Sequence, residues 1–136
     1  DRDHEGHWGR RADEILRDLP TWLMRYTPGI ALVHLGSNDA FQGNPPDETI
    51  DELRRIIGLL RGKNPRVAVL LAKILPTVHP GNDSRFTLVN DRIPALASAL
   101  HTAESPVIVV DHNASFDVAT LTYDGIHPNE AGEKLM

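Results

Sequence analysis

The stretch Ile30-Ala31-Leu32-Val33-His34-Leu35-Gly36-Ser37-Asn38-Asp39 joins a nearly unbroken apolar run to a polar turn. A short apolar run of this kind is typical of a strand buried on both faces of a sheet. Similar runs follow at 67–72 and 107–110, each preceded by a segment of helical spacing. Strands that alternate with helices of about 15 residues predict βαβ units and a parallel sheet. We therefore expect an α/β fold.

Apolar residues recur at helical spacing in four segments. The predicted helices cover 11–25, the segment from Asp47 or Thr49 to about 62, roughly 86–102, and a last helix from Asn129 or Glu130. The segments 36–46 and 76–85, rich in Gly, Asn, Asp and Pro, are predicted loops, and 111–128 is a long irregular stretch. Right-handed crossovers would place helices on both sheet faces, in a three-layer α/β/α sandwich that forms a single domain over 1–136.

Composition excludes several classes of function. The 136-residue chain carries a net charge of -5 and no basic stripe, so no nucleic-acid partner is predicted. Its longest apolar runs are too short to span a bilayer, so no membrane association is expected. With no cysteine, disulfides and thiolate chemistry are excluded. The N-terminal group Asp1, Asp3, His4, Glu5 and His7 has metal-ligating side chains but no helical spacing, so we predict no metal and no cofactor.

The C-terminal stretch Asp124-Gly125-Ile126-His127-Pro128-Asn129 places a carboxylate three residues before a histidine. A carboxylate bonded to one ring nitrogen sets the tautomer and leaves the other nitrogen free to accept a proton. The alternative is an ordinary turn in which Asp124 caps a helix and His127 is simply exposed. The preceding irregular stretch is longer than structureless connections usually are, which favours a functional role.

Polar residues after the predicted strands are expected at the same edge of the sheet. Asn38 follows the first strand and His127 follows the third, and ligands of open α/β sheets bind outside the carboxyl ends of the strands. The Asn38 amide could stabilise an oxyanion or could serve as a turn residue, and Asp39 is expected to brace the loop. Gly9 precedes the first helix, where a backbone N–H favours an anion, or it is there for its conformational freedom. His34 is expected in the core.

Three blocks of the sequence resemble a known superfamily. Gly9, Gly36-Ser37-Asn38-Asp39 and the stretch 124–129 are similar, in order and spacing, to the second, third and fifth conserved blocks of the SGNH (GDSL) hydrolases. The stretch 3–13 resembles more narrowly carbohydrate esterase family 3, the acetylxylan esterases. The resemblance implies a flavodoxin-like SGNH fold and an oxyanion hole made by the Gly9 N–H and the Asn38 side chain. It implies that His127 is the general base and that Asp124 orients it.

The same resemblance implies a mechanism and a substrate. A serine attacks an ester carbonyl, the alcohol leaves, and water hydrolyses the acyl-enzyme. Small esters or an acetylated carbohydrate are the implied substrates, and a secreted enzyme would suit them.

One block of the superfamily is absent. No Gly-Asp-Ser follows a strand, and none of the serines has that context, namely Ser37, Ser84, Ser98, Ser105 and Ser115. The nucleophile is therefore unknown. We expect a domain that is truncated at the N-terminus and at the C-terminus and that lacks its first strand. The strand at 30–35 would then be an unpaired edge. A second copy in a homo-oligomer or strand-exchanged dimer, a separate upstream fragment, or a rearrangement would complete the sheet.

Three functions compete. The favoured one is an SGNH-type esterase or deacetylase that acts on short-chain acyl esters. The second is a non-catalytic truncated homologue that self-associates or binds carbohydrate. The third, a small flavodoxin-like nucleotide or receiver domain, lacks the Gly-rich phosphate loop that such a domain needs after its first strand.

Overall fold

The computed structural model describes residues 4–78 and 83–136. The elements in chain order are α1 Ala12–Trp22, β1 Ile30–Val33, α2 Ser37–Gln42, α3 Pro46–Lys63, β2 Ala68–Ala72, α4 Asp83–Leu100, β3 Val107–Val110, α5 Val118–Leu121 and α6 Glu130–Leu135. Asp1 and Asp3, from the N-terminal group considered for a metal site, lie outside the described residues, as do His79 and Pro80. Among the described residues, no helix combines the length and the apolar composition that a bilayer crossing requires.

The three strands form one parallel sheet in the order β1-β2-β3. Leu32 of β1 is level with Leu70 of β2, which in turn is level with Ile108 of β3. Each pair of neighbouring strands is joined through a helix, since α3 follows β1 and α4 follows β2. The predicted α/β fold with a parallel sheet is confirmed.

One face of the sheet carries the core. Side chains alternate between the two faces of a strand, and Val33, Val69, Leu71 and Val107 all point to the buried face. The residues that pack against them come from the apolar stripes of α1, α3 and α4 and include Leu19, Leu53, Ile57, Ile93 and Leu96. This aliphatic cluster fixes the positions of the strand ends, from which the polar loops emerge.

On the two outer strands, the opposite face of the sheet is exposed, which corrects the expectation of a first strand buried on both faces. Ile30 and Leu32 of β1 are 64% and 81% exposed, and Ile108 of β3 is exposed as well. No described helix covers these side chains, and among the described strands β1 pairs with β2 alone. In the described part of the chain, α1, α3 and α4 therefore pack on the buried face of these strands.

The predicted loop 36–46 contains a short helix, α2. Gly36 has φ +117° and Gly43 has φ +86°, so both adopt the left-handed conformation, and the helix begins and ends between them. A side chain at Gly36 would also approach Thr49, Ile74 and Val89, with the first contact at 3.3 Å. The segment was predicted as a loop in part because of its glycines, and these two glycines in fact bound a helix of six residues. The helix places Asn38, Asp39 and Gln42 on a rigid element.

Candidate active site

A cleft of about 650 Å³ opens at the carboxyl ends of the strands. Gly9, Asn38 and His127 line it together, although they come from three separate parts of the chain. Leu75, Pro76 and Thr77, which follow β2, form another part of its wall. The loops after all three strands therefore meet at one edge of the sheet, where open α/β folds bind their ligands.

Asp124 and His127 form a direct side-chain pair. The Nδ1 atom of His127 lies 2.7 Å from Oδ2 of Asp124, and the other carboxylate oxygen accepts the backbone N–H groups of Ile126 and His127 at 3.0 and 2.7 Å. These bonds, first from the His127 backbone and then from its ring, lower the pKa of Asp124 to about 2. Because an ionised carboxylate can only accept, Nδ1 carries the hydrogen, and in the neutral imidazole Nε2 then presents its lone pair.

The turn between the two residues requires a glycine. Gly125 has φ +84°, and a Cβ there would come within 2.4 Å of Cγ2 of Val78. Its N–H donates to Oγ1 of Thr122 at 2.9 Å, while its carbonyl accepts from the Val78 N–H at 3.3 Å and from the Thr77 hydroxyl at 3.2 Å. The turn is thereby tied to the loop that follows β2.

Tyr123 is a contact of the histidine that the sequence did not reveal. The Tyr123 and His127 rings stack with their centroids 5.7 Å apart and an angle of 13° between their planes. The Tyr123 N–H also donates to the His127 carbonyl at 3.1 Å, and Thr122 and Pro128 form an antiparallel bridge. Asn129 caps α6 by accepting from the N–H groups at 131 and 132, and the helix begins at Glu130, one of its two predicted starts. The imidazole is thus positioned by a carboxylate at its edge and by a phenol ring at its face.

The side chains of α2 hold the segment that contains Gly9. The Asn38 side-chain amide donates to the Arg10 carbonyl at 3.0 Å, and Gln42 donates to the Gly9 carbonyl at 3.4 Å. An amide NH₂ group has two N–H donors, so Asn38 retains one for a ligand in the cleft. Gly9 itself has φ +72° and lies three residues before the first residue of α1, in a left-handed turn. Its N–H is therefore part of a turn and not of the first helical turn.

Asp39 fixes the start of α1. It is fully buried, and its two carboxylate oxygens accept the Ala12 N–H at 3.1 and 3.2 Å. Burial raises the pKa of this carboxyl group. A carboxylate at a helix N-terminus is stabilised by the unpaired N–H groups there. Asp39 thus braces the start of α1, 27 residues away in the sequence, whereas the sequence predicts that it braces its own loop.

The cleft contains a single serine within the described part of the chain, Ser37. No hydrogen bond joins any described serine to His127. Ser105 is buried and donates to the Val67 carbonyl at 2.6 Å, and Ser84, Ser98 and Ser115 are exposed outside the cleft. The structure therefore assigns no nucleophile.

His34 and His7 have surroundings that the sequence did not predict. His34, expected in the core, follows the end of β1, is exposed and lines the cleft. His7 stacks on Trp22 with the ring centroids 4.4 Å apart, and its Nε2 lies 3.1 Å from Glu5. Among the residues that the structure describes, no group of three or more His, Asp or Glu side chains is arranged to hold a metal ion.

The model of the GDSL-like lipase/acylhydrolase family matches residues 2–135 of the chain. An arylesterase from Vibrio mimicus is 31% identical over 113 residues, which make up 83% of this chain and 54% of that protein. A carbohydrate esterase family 3 protein from Talaromyces cellulolyticus superposes with a TM-score of 0.91 and 36% identity over 99% of this chain and 66% of the other. A mutant acetyl esterase with an acetate ion gives a TM-score of 0.90 at the same identity and coverage. The chain thus spans about half of the curated arylesterase and just under two thirds of these solved chains.

Proposed function

From the fact that the chain belongs to the GDSL-like lipase/acylhydrolase family, we propose that it carries the general base and the oxyanion donors of a serine-type esterase for short-chain acyl esters. The observation that carries this proposal is the Asp124–His127 pair at 2.7 Å in the same cleft as Asn38 and Gly9. A capped turn would need only the backbone bonds of Asp124. The additional bond from its other oxygen to the ring favours an oriented base.

The proposed reaction is a double displacement. Nε2 of His127 accepts the proton of a nucleophilic hydroxyl as that oxygen attacks the ester carbonyl. Asp124 stabilises the imidazolium that results, and the proton passes to the departing alkoxide. The oxyanion that develops from the carbonyl oxygen accepts hydrogen bonds from the remaining Asn38 N–H and from the Gly9 N–H. Water, deprotonated by the same histidine, then hydrolyses the acyl-enzyme and releases the acid.

The nucleophile is the open element of this proposal. Ser37 lines the cleft, but it adjoins the oxyanion residue and does not follow Gly-Asp in a strand-to-helix turn. The family mechanism requires a serine hydroxyl within reach of Nε2. We therefore treat a serine from an upstream Gly-Asp-Ser segment as the principal candidate and Ser37 as the variant to test.

The acyl group is proposed to be acetyl and the alcohol a carbohydrate. Support comes from the similarity, at 36% identity, to a carbohydrate esterase family 3 protein and to an acetyl esterase with acetate. The similarity to an arylesterase supports small aryl esters as a second group of substrates.

Hydrolysis of p-nitrophenyl acetate tests the proposal. We compare the 136-residue chain, the same chain with an upstream Gly-Asp-Ser segment added, and the His127→Ala and Ser37→Ala variants of each. Loss of His127 should lower the rate by roughly 10³-fold or more, as removal of a triad base does. His101→Ala is the matched control, because His101 is exposed, lies outside the cleft and bonds the Val107 carbonyl. Inactivity of both chains, or equal rates for His127→Ala and wild type, would contradict the esterase.

A second candidate is a non-catalytic homologue that associates with itself. It is favoured by the exposed apolar side chains of Ile30 and Leu32 and by the edge of β1, which has no partner strand among the described residues. We propose that a second copy covers this surface, as a homodimer or strand-exchanged dimer. Analytical ultracentrifugation should give a dimer for the wild type and a monomer for Leu32→Lys. A wild-type monomer at all concentrations refutes this proposal.

A further inference from the structure

Trp8 lines the cleft beside the proposed reacting groups, and the mechanism above gives it no task. Its indole is 94% exposed, and it immediately precedes Gly9. Single exposed apolar side chains are ordinary on protein surfaces, so exposure alone carries no conclusion. The position of Trp8 in the same cleft as Asn38 and His127 is what distinguishes it from Met24, which is exposed elsewhere.

The backbone on the N-terminal side of Trp8 is anchored. The His7 ring stacks on Trp22 with an interplanar angle of 18° and a centroid distance of 4.4 Å. The Glu5 carboxylate contacts two side chains. One oxygen lies 3.1 Å from Nε2 of His7, and the other accepts a hydrogen bond from the Tyr26 hydroxyl at 3.1 Å. The residue before Trp8 is therefore fixed to α1 and to the segment that follows it.

The backbone on the C-terminal side is anchored as well. Gln42 donates to the carbonyl of Gly9, and Asn38 donates to the carbonyl of Arg10. The left-handed conformation of Gly9 reverses the chain directly after Trp8. Trp8 thus lies at the tip of a turn that is held on both sides, while its side chain faces solvent. A held backbone lowers the conformational entropy that a ligand contact has to overcome.

We propose that Trp8 is a specificity residue that stacks on a six-membered ring in the alcohol part of the ester; this inference rests on the esterase function proposed above. With the carbonyl oxygen at Asn38 and the Gly9 N–H, a short acyl group needs little space. The alcohol part of the ester then extends out of the cleft past Trp8, which precedes Gly9 in the sequence. An indole face provides a flat apolar surface that a phenyl ring or the C–H face of a pyranose can cover. A linear alcohol such as ethanol cannot cover it.

Tryptophan fluorescence gives a direct test, because Trp8 and Trp22 are the two tryptophans of the chain. In Trp22→Phe, Trp8 is the sole tryptophan, and an aromatic ring is kept against His7. This variant is titrated with phenyl acetate, glucose pentaacetate and ethyl acetate, with free N-acetyltryptophanamide as the collisional control. We expect a saturable change in Trp8 emission with at least one ring ester and none with ethyl acetate. The ring ester that gives the tighter saturation identifies the aryl or the sugar source of the ring.

Affinity measurements on Trp8 variants complete the test. By calorimetry, Trp8→Ala should bind the preferred ring ester about 10-fold more weakly, as expected for the loss of one aromatic contact, and Trp8→Phe should retain most of the affinity. Unaltered far-UV circular dichroism shows that the variants are folded. An unchanged affinity in Trp8→Ala, or no saturable emission change with either ring ester, overturns the role of Trp8. Absence of hydrolysis alongside ring-specific binding counts against the esterase and not against the stacking contact.

Discussion

Replacing Gly125 with alanine tests how tightly the Asp124–His127 turn is built. Gly125 has φ +84°, a left-handed conformation that costs an L-residue with a side chain about 1–2 kcal/mol. The added Cβ would also lie 2.4 Å from Cγ2 of Val78, far inside van der Waals contact. Both effects act at the residue that joins the carboxylate to the histidine.

The magnitude follows from these two effects. Insertion of a methyl group into a packed site costs about 1–3 kcal/mol, and the low end applies because Val78 is 61% exposed and can move aside. Restricting the unfolded chain offsets about 0.4–1 kcal/mol. We therefore expect Gly125→Ala to lower the free energy of unfolding by about 2 kcal/mol.

A double-mutant cycle with Val78→Ala separates the two effects. Removing the Val78 methyl groups relieves the steric overlap and leaves the backbone strain. In the Val78→Ala background, Gly125→Ala should therefore cost about 1 kcal/mol less than in the wild type. Urea unfolding monitored by circular dichroism gives the four free energies of the cycle.

Two results would refute this reasoning. Additive free energies, within about 0.5 kcal/mol, would mean that the turn at Gly125 does not contact Val78 in solution. A cost for Gly125→Ala below about 0.5 kcal/mol would mean that Gly125 is not left-handed. Either result would also undermine the placement of His127 in the cleft.

Three further substitutions probe the charges and the scaffold around the site. Asp124→Asn should move the His127 hydrogen from Nδ1 to Nε2, visible in long-range ¹H–¹⁵N spectra; retention at Nδ1 contradicts the assigned tautomer. The pKa of Asp124 falls from 3.8 to about 2 on folding. The stability that its ionised form contributes is therefore complete above pH 4 and is lost as the pH falls toward 2. Urea unfolding of Asp124→Asn should not show this loss. Burial, followed by the charges of neighbouring carboxylates, raises the pKa of Glu52 from 4.5 to about 7. Because the folded state disfavours the ionised form, the stability of the protein declines as the pH rises from 4.5 to 7. Glu52→Gln should be about 1 kcal/mol more stable above pH 7, after allowance for solvent screening, and equal below pH 4.5; a flat difference across this range is the contrary result. Asn90→Ala removes two buried bonds to the backbone of residue 74, at 2.8 and 2.9 Å, and should cost about 2–4 kcal/mol in urea, against less than 0.5 for the exposed control Asp91→Ala.

The fold class was predictable because its signals are local. The apolar run at 107–110 predicted β3 with its observed bounds, the helical spacing before it predicted α4, and α6 begins at Glu130, one of its two predicted starts. The short helix α2 was missed, because two left-handed glycines and polar residues in between have the composition of a loop. The bare sheet face was missed because an apolar strand has the same sequence whether or not a second layer covers it.

The candidate site was predictable to the extent that its contacts are short-range. Asp124 and His127 are three residues apart, so their pairing follows from one turn. Tyr123 and Trp8 carry no signal of this kind, because an exposed aromatic residue has no periodicity. His34 was predicted in the core because it lies within an apolar run. However, β1 ends at Val33, and the His34 side chain lines the cleft.

The two halves of the site depend on the fold in different ways. The base half is held by bonds within residues 120–132, together with the contacts of Gly125 to the loop after β2. The oxyanion half has no such local support. Asp39, Asn38 and Gln42 reach the segment 9–12 across separations of 27, 28 and 33 residues. Local unfolding that separates α1 from α2 would therefore displace Gly9 while the imidazole stays paired with its carboxylate. The positions of Gly9 and of the adjacent Trp8 therefore depend on the packed core. The connection is made by α2, the helix predicted as a loop, whose side chains bond the backbone of residues 9 and 10.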